Sequence, residues 1–216
     1  MHIVYLNNQQ YIAQNVHATT IVSLICVYIL SHHILKSLRN KSFSWLGVLG
    51  RVIFSLYATL VVTVTLTFYK WPSFATYLAM IKEYGGFGQH AFAHLSFFNS
   101  DNVAFSWYQL TGNFMLLLPL GFMAPFLFPK WRGLVHIVPR IFLTTLTIEI
   151  IQGTSTFFYL SNRIFDMNDL AVNTIGGIVG YIVYRMTIFV MKKNDNFVSN
   201  YVEKGDLNEH DLYIKS

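Results

Sequence analysis

Five stretches of this chain are apolar over the length of a bilayer core, at about 16–35, 52–69, 108–128, 134–152 and 170–190. Backbone N–H and C=O groups find no partner in hydrocarbon, so only helices, which bond internally, or closed barrels can span it. The Val- and Thr-rich second stretch would suit a strand in water. Five spans of this length nevertheless predict helices, and the expected fold is all-α: a polytopic transmembrane helix bundle of about five spans. The composition agrees, with 54% of the 216 residues apolar and 12% charged. The expected organisation is two spans plus an outer loop over 1–106, a three-span core over 107–190 and a polar tail over 191–216. Cys26 is the single cysteine and lies in an apolar run, which excludes an internal disulfide framework and a cysteine-based metal site.

Lysine and arginine set the expected orientation. Lys36, Arg39, Lys41 and Arg51 sit in one connection, Lys130 and Arg132 in another, and Lys192 and Lys193 open the tail; Lys70, Lys82 and Arg163 are all that lies on the other side. This bias predicts an outer amino terminus and a cytoplasmic carboxyl terminus. The net charge of +5 does not point to nucleic acid, because the basic residues flank apolar spans instead of alternating with aromatics. No basic region precedes the first apolar run, so the first span is expected to be retained. The long loop 70–107, with Trp71, Pro72 and several glycines and aromatics, is expected to form a reentrant segment or a cap partly at headgroup level.

The stretch from Arg163 to Gly180 carries polar groups into the last span. At 100° per residue, Arg163, Asp166, Asp169, Asn173, Gly176, Gly177 and Gly180 fall within about 140° of one helix face. Such a face turns from lipid toward a bundle interior or a wet cavity and marks a candidate functional site. A plainer reading is available: the glycines allow close helix packing, the acids pair Arg163 as an architectural clasp, and Asp166 caps the helix. Under the predicted topology Asn113 opens the third span, Glu149 and Gln152 close the fourth, and Asp169 and Asn173 open the fifth, so three helices bring polar groups to one depth. Pro119 and Gly121 predict a kink and a close backbone approach in the third span.

Asn113-x5-Pro119-x-Gly121-Phe122, then Glu149-x2-Gln152, then Arg163-x2-Asp166-x2-Asp169-x3-Asn173-x2-Gly176-x3-Gly180, in this order and on these spans, resemble the VanZ-like family over about 107–190. The resemblance implies a multi-pass protein of the bacterial cell membrane, in a family named for a member that lowers susceptibility to teicoplanin, a lipid-bearing glycopeptide. It implies no settled chemistry.

Three functions compete. In the first, a non-enzymatic envelope protein recognises the head group of a lipoglycopeptide or of a lipid-linked envelope precursor. Asn113, Gln152 and Asn173 supply hydrogen bonds there, and Arg163 pairs with phosphate or carboxylate. Membrane lipid is the expected surrounding partner. In the second, an enzyme acts on a lipid-linked head group with Glu149, Asp166 or Asp169 as general base; no nucleophile elbow or phosphate-cradling loop accompanies these acids, and the expectation leans away from an enzyme. The third, a small transporter or flippase, lacks an evident inverted repeat. No cofactor and no metal site are expected: His90 and His94 stand four apart but have no acidic or thiol partner near in sequence, so interfacial packing is the expected role.

Overall fold

The fold is taken from a computed structural model, which describes residues 2–6, 9–17, 19–39, 45–89, 92–95 and 107–193. Strands β1 (His2–Leu6) and β2 (Gln9–His17) lead into α1 (Thr19–Arg39) and α2 (Trp45–Thr65). Strand β3 (Thr67–Lys70), helix α3 (Phe74–Glu83) and the two-residue strand β4 (Ala93–His94) follow. Helices α4 (Trp107–Leu127) and α5 (Leu134–Phe157), strand β5 (Phe165–Asp166) and helix α6 (Met167–Lys193) complete the chain. The expected helical bundle is present. Trp45–Thr65, Trp107–Leu127, Leu134–Phe157 and Met167–Lys192 are long and apolar enough to cross a membrane, and the protein is a membrane protein on that ground. The first expected span falls on α1, whose apolar stretch is Val22–His32.

The second span ends earlier than the expected residue 69. At Thr67 the backbone leaves the helix and pairs antiparallel with β2, Thr67 opposite His17 and Lys70 opposite Gln14, while β2 pairs with β1. A three-stranded sheet, β1-β2-β3, therefore sits at the end of α2. Within α2 the Thr63 hydroxyl donates to the Thr59 carbonyl and the Thr65 hydroxyl to the Val61 carbonyl, so both are satisfied by their own helix.

Helix α4 continues through Pro119 and Pro125. The Tyr57 hydroxyl of α2 donates to the Leu116 carbonyl at 2.7 Å, next to Met115, whose carbonyl Pro119 leaves without a helix N–H, and ties the two helices together. The tightest packing joins α4 to α6. A Cβ on Gly176 would overlap the Phe114 carbonyl, one on Gly180 the Leu118 carbonyl, and one on Gly121 the Gly177 carbonyl. Paired positions rise together along both helices, so α4 and α6 run parallel, with their backbones in direct contact. The close-packing reading of these glycines is therefore the geometry observed. Leu117, Leu120, Ala124, Ile137, Ile141, Tyr181 and Tyr184 fill the core between α4, α5 and α6.

The expected cap over 70–107 contains an ordered helix. Ser73 caps α3 by accepting the Thr76 N–H, and Met80 is buried against Tyr159 among Trp71, Tyr77 and Ile81. The turn after α5 is held by this cap: Trp71 Nε1 donates to the Tyr159 carbonyl, the Tyr77 hydroxyl to the Phe158 carbonyl, and the Gly88 N–H to the Phe157 carbonyl. Tyr159 adopts φ 55°, a left-handed conformation that a bulky residue keeps only when its surroundings fix it. At the other end of the bundle, Arg140 reaches back to the Lys130 carbonyl and lies over the Trp131 ring, which extends its charge toward the end of the span.

Candidate functional site

The polar residues converge at the end of the bundle where α5 finishes and α4 and α6 begin. Gly177 abuts Ile141, which sets the register of antiparallel α5 against α6. One turn nearer the end, Thr145 on α5 stands level with Asn173 on α6; one further turn brings Glu149 level with Asp169. On α4, Gln109 and Asn113 lie a turn apart, and the amides of both face the Asp169 carboxylate. The result is a polar seam about 12 Å deep, from the level of Glu149 and Asp169 to an apolar floor at Ile141 and Gly177.

Glu149 is 1% exposed, and its Oε2 accepts the Asp166 N–H at 3.0 Å. That bond fixes the point at which the chain turns from β5 into α6. Asp166 itself accepts the Asn168 N–H at 2.7 Å through Oδ1, so it caps α6, as its position before the helix suggested. Buried Gln152 donates through Nε2 to the Thr65 carbonyl at 2.9 Å, closing a free carbonyl at the end of α2. Arg163 is exposed at the rim, and its charge acts on both Glu149 and Asp169. Its backbone is fixed by two hydrogen bonds: the Thr156 hydroxyl donates to its carbonyl, and its N–H donates to Ser161 Oγ.

Among the described residues two buried polar atoms in the seam, Thr145 Oγ1 and Asn173 Oδ1, have no hydrogen-bond partner, while Asn113 Nδ2 is turned toward the Asp169 carboxylate. Thr145 is 0% exposed and Asn173 1%. A buried polar atom left unpaired costs about 1–3 kcal/mol, so the seam keeps hydrogen-bonding capacity at a price in stability.

The structure gives His94 a partner that is distant in sequence. Its Nδ1 lies 3.4 Å from Asp166 Oδ1, so it has the acidic partner that its sequence neighbourhood lacks. The meeting depends on a two-residue parallel ladder, Ala93 opposite Phe165 and His94 opposite Asp166, joining positions 72 residues apart. Gly153 permits it: a Cβ there would press on Phe165 Cβ at 2.8 Å and on the Phe92 carbonyl at 3.1 Å. His90 lies outside the described residues. Among the described residues no three His, Cys, Asp or Glu side chains are grouped to hold a metal ion.

Asn113, Glu149, Asp166, Asp169 and Asn173 are thus brought together, with Arg163 at the rim, while Gln152 is committed to a structural bond. Sequence reasoning missed Gln109 and Thr145. Both carried a usable signal, each lying four residues from an expected site residue on the same helix face. His94 was weighed by its spacing to His90, but nothing in the sequence pointed to its partner Asp166. A family model described as VanZ/LLP1 matches residues 54–190, from within α2 to near the end of α6. No curated protein and no solved structure matches the chain.

Proposed function

The chain belongs to the VanZ/LLP1 family, and from that premise we propose that it lowers susceptibility to teicoplanin or related lipoglycopeptides by engaging an amphiphile's head group at the outer leaflet. The observation that carries this reading is the seam with its unpartnered Thr145 Oγ1 and Asn173 Oδ1 beneath the Glu149 and Asp169 carboxylates. A bundle gains nothing in stability from such atoms, and a head group rich in donors and acceptors fits them. Arg163 at the rim suits an acidic group of the same ligand.

The outward orientation rests on charge. Lys130 and Arg132 lie at the end opposite the seam, and Lys192 follows at the same end. Basic residues of this kind favour the cytoplasmic side of a bacterial cell membrane, which turns the seam outward and leaves the carboxyl terminus inside.

A second reading, chemistry on a lipid-linked head group, is favoured by one observation: His94 stands beside Asp166, which is bonded through its backbone to buried Glu149. A histidine with a carboxylate neighbour is a common proton acceptor.

The test expresses the wild type and Asp169→Ala at matched membrane levels in a susceptible Gram-positive host and measures growth inhibition by teicoplanin and vancomycin. Selective protection against teicoplanin that vanishes in the variant supports the proposal. Equal sensitivity of wild-type and empty-vector cells to both drugs removes the resistance role and leaves the head-group chemistry to be assayed.

A further inference from the structure

The charge of the seam narrows what it can bind. Glu149, Asp166 and Asp169 gather at one place, and Arg163 is the guanidinium that acts on Glu149 and Asp169, from an exposed position at the rim. The acids therefore outnumber it. A carboxylate drawn from water needs a compensating charge or hydrogen-bond donors. Glu149 receives one N–H, from Asp166, and Asp169 faces the amides of Gln109 and Asn113.

One turn deeper, the unpartnered atoms are suited to accept. Asn173 Oδ1 is an acceptor only, on the face that carries Asp169; Thr145 Oγ1 can accept as well as donate, on the face that carries Glu149. These two are independent of the acidic cluster, since neither is charged and both are almost fully buried. Carboxylates above and neutral acceptors below ask for a ligand group with positive charge and several N–H donors. An anion meets repulsion there, and a neutral hydroxyl leaves the surplus charge unanswered. A primary ammonium has three donors, a full charge and no acceptor, and it complements Glu149, Asp169 and Asn173 Oδ1 together. A quaternary ammonium has the charge but no donor.

We infer that the seam recognises a primary ammonium group carried by an amphiphile, with Glu149 and Asp169 supplying charge and Asn173 and Thr145 the deepest acceptors. This rests on the head-group reading above and names the chemistry of the group bound. Arg163 then serves any acidic group on the same molecule, so an amphoteric head group fits the rim and the seam at once. The ammonium belongs either to a membrane lipid or to the lipoglycopeptide, and the chemistry of recognition is shared.

The test uses the full chain purified in dodecyl maltoside and measures binding of dodecylamine and dodecyltrimethylammonium, each at a low mole fraction of the micelle and at neutral pH. Dodecylamine is expected to bind at least about tenfold more tightly, the loss associated with charge-assisted hydrogen bonds, and Asp169→Asn is expected to remove most of that preference. The wild-type comparison needs no variant to fold. Competition by phosphatidylethanolamine against phosphatidylcholine, and by teicoplanin, then identifies the source of the ammonium. Equal binding of the two probes, or a preference that survives Asp169→Asn, overturns the inference. Teicoplanin protection that persists with no ammonium preference sinks this inference alone; an ammonium preference without protection sinks the resistance role alone.

Discussion

A Cβ added to Gly121 of α4 would fall on the carbonyl of Gly177 in α6. The two helices that carry Asn113 and Asp169 to the seam are thus in backbone contact at its floor, two turns from those residues, and the spacing of the site depends on a hydrogen atom at position 121. Gly121→Ala is expected to destabilise the bundle by about 1–3 kcal/mol, the usual cost of overpacking. Gly112→Ala, on the same helix with nothing within 4 Å, is expected to be neutral or slightly stabilising by up to about 1 kcal/mol. Thermal unfolding of both variants in detergent checks the contrast, and equal effects would remove the packing explanation.

Glu149→Gln and Glu149→Leu separate anchoring from charge. The glutamine retains an oxygen for the Asp166 N–H, whereas leucine leaves that N–H unpaired; the leucine variant is expected to be less stable by about 1–3 kcal/mol. Both should lose teicoplanin protection if the charge serves binding. Membrane abundance by immunoblot, read beside growth inhibition, distinguishes the two losses.

Asp166 has a cap to lose and His94 does not. Asp166→Ala releases the Asn168 N–H and is expected to cost about 0.5–2 kcal/mol, the range for a lost helix cap. His94→Ala removes a 3.4 Å contact between partly exposed groups and is expected to cost less than about 1 kcal/mol. Unfolding midpoints rank the pair, and a larger loss for His94→Ala would mean that β4 is held chiefly by this side chain.

Tyr57→Phe deletes the hydroxyl that meets the Leu116 carbonyl while keeping the ring. The expected loss is about 0.6 kcal/mol, the average for hydrogen bonds between membrane helices. A loss several times larger would show that this hydroxyl also holds the α4 backbone at Pro119.

The candidate site was legible wherever its partners lie within one helix. Asp169 and Asn173 are four apart, and Glu149 and Gln152 three apart, so helical periodicity alone places each pair on a side of its helix. The direction in which Gln152 turns was not legible, because its partner is the Thr65 carbonyl, 87 residues away. Periodicity identifies a face but does not say which neighbour fills it.

The same division holds for the whole chain. Apolar length and backbone satisfaction in lipid are properties of a segment, and they were enough to give the helical bundle and the order of its core spans. The three-stranded sheet, the commitment of Gln152 and the meeting of His94 with Asp166 depend on which distant backbone each residue touches. A two-residue ladder such as Ala93–His94 against Phe165–Asp166 is too short to leave a pattern in sequence. It exists because Gly153 lets the two segments approach and the packed cap over Tyr159 holds the end of α5 in place, and those are facts of tertiary structure.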